Sequence, residues 1–442
     1  MPYPQGTTSR NKLFQSATTR LTPWSAALVF LLLLASVFHA GSTQAAEAVP
    51  LSTAEAELIA FADEPGFLAL AESAAAVMEQ SVAAGQLPDP QIVLGMQNFP
   101  IQSGGFTTEG MSQAVIGLRQ AFPRGDTRKL RTRRLESLSS GLTADTQDRA
   151  RQVRLATRRA WLGIYYWEHS RKLVLDSHAY FLDLLAITRS LYAVGSRNQQ
   201  DVLRAEIELS RLDDRLIEID RQITDQRAQL AQWIGAAHAA RPLDADLPAW
   251  SQVPNLAELT MQLDAHPAMF AADARIAASE SSVALANERY KPAWGLEARL
   301  GLRGGELPNG NSRSDFATVM LTFDLPLFHK NRQDRILASA RHQKRSSLAA
   351  RTKLARSLRQ ELASEYARWI ELSRRIGVYR ERIVPQSAEL SAAALAAYQT
   401  NTADFADVMR AYIHELDTRI EHARLRTDRL RSYATIAALG GF

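Results

Sequence analysis

Residues 294–303, WGLEARLGLR, alternate between apolar and polar positions without a break. In an extended strand, one face would carry Trp294 and four aliphatic side chains, and the opposite face would carry two glycines with Glu297, Arg299 and Arg303. About ten residues with one apolar face is the pattern of a tilted strand that crosses an outer-membrane bilayer. It is also typical of an antiparallel strand with one wet face in a soluble domain. The strand alone leaves both interpretations open.

The first 46 residues differ in composition from the rest of the chain. Arg10, Lys12 and Arg20 precede an apolar run, 24–38, and small residues follow it. A basic start, a short apolar run and a small-residue exit are the parts of a secretory signal peptide, and about fifteen apolar residues are short for a membrane span. We therefore predict a signal peptide over 1–46, with an N-terminal anchor helix as the alternative.

The remaining chain contains a duplication. Each half has a strand, a turn-rich loop and a return strand, which predicts β-hairpins over 91–122 and 294–325. The segment from Tyr192 to Ala205 recurs from Tyr398 to Ala411. A period of about 200 residues is too long for a solenoid and indicates two copies of a half-domain. The predicted division is a first repeat over 47–240, a linker over 241–265 and a second repeat over 266–442.

Long helices are predicted to follow each β-hairpin. Residues 124–241 contain no proline and are rich in strong helix formers. Gly195 marks the only break near the middle, so we predict a helical hairpin over 127–235 and its counterpart over 330–436. From Val202 to Trp233 a series of positions, all apolar except Gln226, recurs in strict steps of three and four, which indicates a left-handed coiled coil. Pro385 predicts a kink in the second hairpin.

Composition and motifs narrow the function. The sequence has no cysteine, which excludes disulfides, thiolate metal sites, a cysteine nucleophile and the acylated cysteine of a lipoprotein. The net charge is +5, but an exported protein is not expected to bind nucleic acid. Histidine and methionine do not cluster at ligand spacings, so no metal site is predicted. No phosphate-binding glycine loop, GxSxG or HExxH motif occurs, and we predict neither an enzyme nor a cofactor.

The strands and the helices constrain each other. After the signal segment no run reaches about eighteen apolar residues, so only strands could hold the mature chain in a bilayer. Four strands cannot close a barrel, because single-chain barrels need about eight. If the strands span a membrane, several chains must share one barrel. Helical hairpins about 100 Å long would then surround the same axis and form a hollow conduit.

This arrangement resembles the TolC-type outer-membrane efflux family, and within it the CzcC/CusC-like outer-membrane factors of heavy-metal resistance-nodulation-division (RND) pumps. The matching motifs are LPDPQI at 87–92, QAFPRG at 120–125, Val384-Pro385 and the two repeated tyrosine segments. The resemblance implies a mainly α fold with a small transmembrane β part. Long coiled-coil helical hairpins and two β-hairpins per chain would assemble into a trimeric α/β-barrel channel-tunnel.

In this family the tips of the helical hairpins close the tunnel. The resemblance assigns pore gating to Asp407 and to its repeat mate Asp201. One turn further on, where well-known members are acidic, this chain has Arg410 and Arg204. Charge pairing with Arg410, or a second acidic ring at Asp404, are the two alternatives. The non-functional interpretation is that both aspartates only stabilise helix N-termini, an effect of about 0.3–1 kcal/mol.

The resemblance also implies a location and partners. The protein would lie in the outer membrane and extend into the periplasm, as a homotrimer in contact with lipid. It would dock a periplasmic adaptor (membrane fusion) protein and an inner-membrane RND transporter. Glu297, Arg299 and Arg303 would line the channel. The residues expected to dock the adaptor at the two tips are Tyr192, Val194, Gly195, Ser196, Tyr398, Asn401 and Thr402.

The implied function is that of a passive exit duct. Its cargo would be heavy-metal cations, either copper and silver or cobalt, zinc and cadmium. Drug efflux and type I protein secretion are the alternatives within the same family. A periplasmic coiled-coil scaffold is the alternative that has no channel.

Overall fold

The structure, a computed structural model, describes residues 49–62, 64–196, 198–400 and 402–442. Within it, Pro50–Phe442 form one compact unit. The predicted signal peptide and Asn401 lie outside the described residues.

Two copies of one arrangement follow each other along the chain: a helix, a β-hairpin and a pair of long antiparallel helices. The first copy comprises α1 (Thr53–Ala62), α2 (Pro65–Ala84), β1 (Gln91–Gln97), β2 (Gln113–Phe122), α3 (Thr127–Ala193), α4 (Gln199–Ile234) and the short α5 (Ala236–Ala239). The second comprises α6 (Leu256–Gln262), α7 (Pro267–Glu288), β3 (Ala293–Arg303), β4 (Phe316–Asp324), α8 (Gln333–Val378), α9 (Val384–Gln399) and α10 (Phe405–Gly440).

The helical hairpins dominate the molecule. Helix α3 has 67 residues, which is about 100 Å at about 1.5 Å per residue. It ends at a turn in which Gly195 has φ of 76°, a left-handed conformation that favours glycine. The predicted long hairpins are therefore confirmed. None of the helices in the described ranges combines the length and the hydropathy of a membrane-spanning segment.

The coiled-coil seam of α4 is buried. Ala205, Leu209, Leu212 and Ile219 belong to one hydrophobic cluster. The same cluster takes Val174, Phe181, Leu184 and Leu185 from α3, and Phe405, Val408, Met409, Leu416 and Ile420 from α10. The apolar positions repeat every three or four residues, so each helix offers a continuous stripe to its neighbours. The two helical hairpins consequently share a single core.

A π turn, Tyr379–Ile383, lies where Pro385 predicts a kink. Pro385 has no backbone N–H to donate to the carbonyl four residues earlier, and its ring crowds that carbonyl. A π turn inserts an extra residue at this point and lets the helix continue on the other side. The long second-half helix is therefore divided into α8 and α9.

The four strands form one antiparallel sheet in the order β1-β2-β3-β4. The central pair joins the two β-hairpins, with Gln113 opposite Arg303 and Phe122 opposite Trp294. Strand β3, with its alternating apolar and polar residues, therefore pairs with both β2 and β4. The apolar positions from Trp294 to Leu302 fall on one face of the sheet.

The chain segments near the two ends of the described unit pack on the middle of α3. Trp161 donates its indole N–H to the Leu51 carbonyl at 2.8 Å, and Leu51 forms a parallel bridge with Leu243. Arg151 donates to the Ala438 and Leu439 carbonyls at 3.2 and 3.3 Å. These carbonyls lie at the C-terminal end of α10, where a cation is favourable.

The N-terminus of α7 is capped by a buried histidine. His266 Nδ1 accepts a hydrogen bond from the Ala268 N–H at 3.2 Å. Burial and the nearby Arg151 guanidinium lower the pKa of His266 from its ordinary value, although Asp148 acts in the opposite direction. The cap therefore depends on a neutral imidazole, because a protonated ring nitrogen cannot accept.

We expect His266→Asn to make the stability of the protein less sensitive to acid. Because the folded-state pKa of His266 lies below 6.5, the unfolded chain takes up the proton first, and the free energy of unfolding decreases as the pH falls below that value. Asparagine retains a capping acceptor that does not titrate. Thermal unfolding at about pH 7.5 and about pH 5 measures the difference.

His414→Asn is the matched control, since His414 is exposed on α10. It should keep the wild-type pH dependence. An identical pH dependence in His266→Asn and the wild type would contradict the assignment.

Candidate functional site

The two helical hairpins end in tips of related sequence. Asp201 and Asp407 are each the third residue of a helix, α4 and α10. The N-cap positions are held by Asn198 and Asp404, and neither side chain makes a capping hydrogen bond. The aspartates thus have the position in which a carboxylate stabilises a helix dipole. This geometry is common to the gating interpretation and the non-functional one.

Each of these aspartates is accompanied by an arginine one turn later. Asp407 forms a salt bridge with Arg410, and both side chains are largely exposed. Asp201 lies 3.8 Å from Arg204, and its side chain is only 15% exposed. The Asp407–Arg410 pair lies within a single helix, so charge pairing that closes the tip and an acidic ring at Asp404 both stay predictions. Such an exposed pair contributes little stability by itself, about 0–1 kcal/mol.

A polar cavity of about 330 Å³ lies between the two tips. Its wall brings together Asp201 and Arg204 of the first repeat with Asp404 of the second. Asp407 and Arg410 are not part of that wall. Asn198 also lines the cavity but was not a predicted site residue. The repeat offset that relates Asp201 to Asp407 also relates Asn198 to Asp404, so this signal was present in the sequence.

The residues predicted to dock an adaptor differ sharply in exposure. Tyr192 is 47% exposed, whereas its repeat mate Tyr398 is 1% exposed and packs edge-on against Phe405 at 5.6 Å. The prediction that the Tyr398 side chain is offered to a partner is therefore wrong. The cause is a difference between the repeats, because Phe405 occupies the position of Gln199 in the first tip. Val194, Gly195, Ser196 and Thr402 are exposed.

The polar face of the sheet also departs from expectation. The Glu297 side chain is only 2% exposed, since it forms salt bridges with Arg299 and with Arg119, the latter at 3.5 Å. The prediction that the Glu297 carboxylate lines water is thus wrong within this chain. The guanidinium groups of Arg119 and Arg299, which cover this carboxylate, are more exposed than it is. Arg119 was not predicted from the sequence as a residue of this face. Arg119 lies opposite Glu297 only because β2 of the first repeat pairs with β3 of the second, and this pairing was not predicted.

Two arginines of the second β-hairpin bind the loop of the first: Arg303 at the end of β3 and Arg313 in the loop that follows it. Arg303 donates to the Gly110 carbonyl and stacks on the Phe316 ring at 4.4 Å. Arg313 donates to the carbonyls of Thr107 and Glu109, each at 3.2 Å. Arg303, which was predicted to line the channel, therefore also holds the two β-hairpins together. Within the described ranges, no cluster of three or more histidine, aspartate and glutamate side chains could hold a metal ion.

Comparison with known proteins agrees with this geometry. Residues 259–441 match the family model described as outer membrane efflux protein. This part of the chain is therefore similar to the outer membrane efflux protein family. No curated protein matches the chain.

Several solved structures share the fold. The outer-membrane channel OprN has a TM-score of 0.74 at 18% identity, with 88% of this chain and 90% of that chain covered. VceC from Vibrio cholerae has a TM-score of 0.73 at 18% identity, with 88% and 96% covered. CusC has a TM-score of 0.71 at 15% identity, with 90% and 94% covered. The predicted TolC-type resemblance and the mainly α fold with a small β part are confirmed.

Replacement of the two repeat-related tyrosines should have unequal effects. Tyr398→Ala leaves a cavity beside Phe405, and loss of a large buried ring costs about 3–5 kcal/mol. Tyr192→Ala removes an exposed ring and should cost under about 1 kcal/mol. Amide hydrogen exchange in α9 and the start of α10 measures the free energy of local opening at the second tip. Equal protection in the two variants would show that Tyr398 does not hold this tip together.

Proposed function

We propose that the protein is one protomer of an outer-membrane efflux channel, the passive exit duct of a tripartite RND pump. The observation that carries this proposal is the four-stranded sheet next to the long helical hairpins. Its apolar face is exposed, and each of its outer strands, β1 and β4, is paired on one side only within the part of the chain that the structure describes.

The apolar face is continuous across all four strands. Val319 on β4 is 74% exposed and Ile92 on β1 is 71% exposed, and the side chains between them are exposed as well. An apolar patch of this extent marks contact with lipid or with another protein. The opposite face carries Arg119 and Arg299, in keeping with strands that face lipid on one side and an aqueous lumen on the other. The exposed apolar side chains between the two ends are Leu94, Met96, Ile116, Leu118, Leu296, Leu300, Leu302 and Leu321.

Aromatic side chains occupy the end of the sheet nearest the helices. Phe122 stacks on Trp294 at 3.9 Å between ring centroids, and Phe323 is paired with Trp294 from the other side. Aromatic residues are typical of the level where hydrocarbon meets head groups. This end of the sheet would lie at the periplasmic interface of the outer membrane.

The free edges support assembly into a shared barrel. An unpaired backbone N–H or carbonyl costs several kcal/mol in hydrocarbon. Pairing of β4 from one protomer with β1 of the next would leave no edge exposed. The family resemblance supports three copies, which would place the helical hairpins around one axis. The exposed tips would then meet the adaptor and the inner-membrane transporter, and the Asp407–Arg410 pairs would form the gate.

The proposed cargo is heavy-metal cations. Support comes from the sequence motifs shared with the heavy-metal branch, such as LPDPQI and QAFPRG. Overall fold similarity does not carry this part of the proposal, because CusC, at a TM-score of 0.71, matches about as well as OprN at 0.74.

The purified trimer should conduct ions in planar bilayers. We expect Asp407→Asn to raise the conductance or the open probability several-fold, because each protomer of the trimer would lose the carboxylate that is proposed to close the tip. Asp225→Asn is the control, since Asp225 is similarly exposed and forms a salt bridge with Arg221 at 2.7 Å on α4, outside the tip. A monomeric protein that is soluble without detergent and does not conduct would instead support the periplasmic scaffold.

Deletion of the gene should sensitise cells to at least one of copper, silver, zinc, cobalt and cadmium. The measurement is the minimal inhibitory concentration of each ion and of a panel of drugs. A plasmid copy of the wild type should restore resistance. Sensitivity to drugs alone would overturn the proposed cargo and leave the proposed channel intact.

A further inference from the structure

Four helices line an open polar cavity of about 690 Å³ outside the tips. Arg159 on α3 and Gln229 on α4 come from the first repeat, and Arg368 on α8 and Arg431 on α10 come from the second. Cavities of about 300–1,000 Å³ with a few convergent polar groups are the usual sites of small ligands. A molecule bound here would contact both repeats at once.

Positive charge exceeds negative charge in the wall of this cavity. Asp428 is shared between Arg431 at 3.2 Å and Arg368 at 3.7 Å. Arg368 also lies 3.8 Å from Glu365. With Arg159, the wall has three arginines and two carboxylates, which is a net charge of +1. The carboxylates of Asp428 and Glu365 are therefore paired with Arg368 and Arg431.

Arg159 is the cation left over from this pairing. It donates a hydrogen bond to the Thr435 hydroxyl at 2.9 Å. No carboxylate of the described residues forms a salt bridge with it. It is also exposed, so a ligand can reach it. A guanidinium has five N–H donors in a planar fork that matches a carboxylate, and a single neutral acceptor uses only one of them.

The rest of the wall suits the organic part of such a ligand. Gln226, Gln229 and Gln232 offer amide groups, and Trp233 offers an aromatic surface. Ala156 on α3 is small and leaves the space open. The charge excess fits one negative charge, and the aromatic surface fits a compact apolar group.

We propose that this cavity is a binding site for a small organic monocarboxylate, with Arg159 as the residue that binds the carboxylate group. The site does not depend on the proposed cargo or on the gate. Because its walls come from both repeats, the bound anion would hold the first and second helical hairpins in one arrangement.

Fluorine NMR of 4-fluorobenzoate tests the proposal. The probe resonance should broaden when the full-length trimer is added in a non-ionic detergent, relative to the same detergent without protein. An excess of benzoate should restore the sharp line, whereas uncharged benzyl alcohol should not. Arg159→Gln should weaken binding at least about tenfold, as expected for the loss of a charge-assisted hydrogen bond.

Two further variants separate binding from folding. Ala156→Phe fills the cavity without changing any charge and should also abolish the broadening. Arg221→Gln removes an exposed arginine that is already paired with Glu218 and Asp225, and should bind as the wild type does. The proposal is overturned if the wild type does not broaden the probe. It is equally overturned if both cavity variants, folded by circular dichroism, broaden it as much as the wild type.

Discussion

The structure depends on one constraint, which is that a sheet with an apolar face and open edges cannot remain alone. Backbone N–H and carbonyl groups need partners, and in hydrocarbon no water supplies them. The sheet of this chain has four strands and therefore two outer edges. A helix cannot satisfy these edges, because its backbone N–H and carbonyl groups are already used in its own hydrogen bonds. In the proposed channel, further copies of the chain would pair with these edges, and the helical part would have to be compatible with the symmetry that they impose.

The two repeats have the same architecture but have diverged where contacts are made. In the second tip, Phe405 packs on Tyr398, so that this tip has its own small core. The first tip has Gln199 at the equivalent position and leaves Tyr192 exposed. One tip is therefore built for internal order, and the other offers apolar surface. In a channel made of such protomers, tips with a packed core would alternate with tips that expose an aromatic side chain.

The sequence predicted the elements well because the signals are local and periodic. The steps of three and four on α4 and the alternation on β3 each repeat many times, and single exceptions do not obscure them. The site residues were harder to predict. Glu297 is covered by Arg119 across the contact between two β-hairpins, and Tyr398 is covered by Phe405 across a turn. Both depend on distances between separate elements, which periodicity does not encode.

The arginines that link the surface loops have a consequence for how this region can evolve. Arg303 and Arg313 donate to main-chain carbonyls of Thr107, Glu109 and Gly110. Every residue type supplies such a carbonyl, so the side chains of the accepting loop can be exchanged without loss of the contact. The accepting loop is therefore free to vary in sequence while its attachment is preserved. Selection for the attachment falls instead on Arg303, the last residue of β3, and on Arg313 in the loop that follows it.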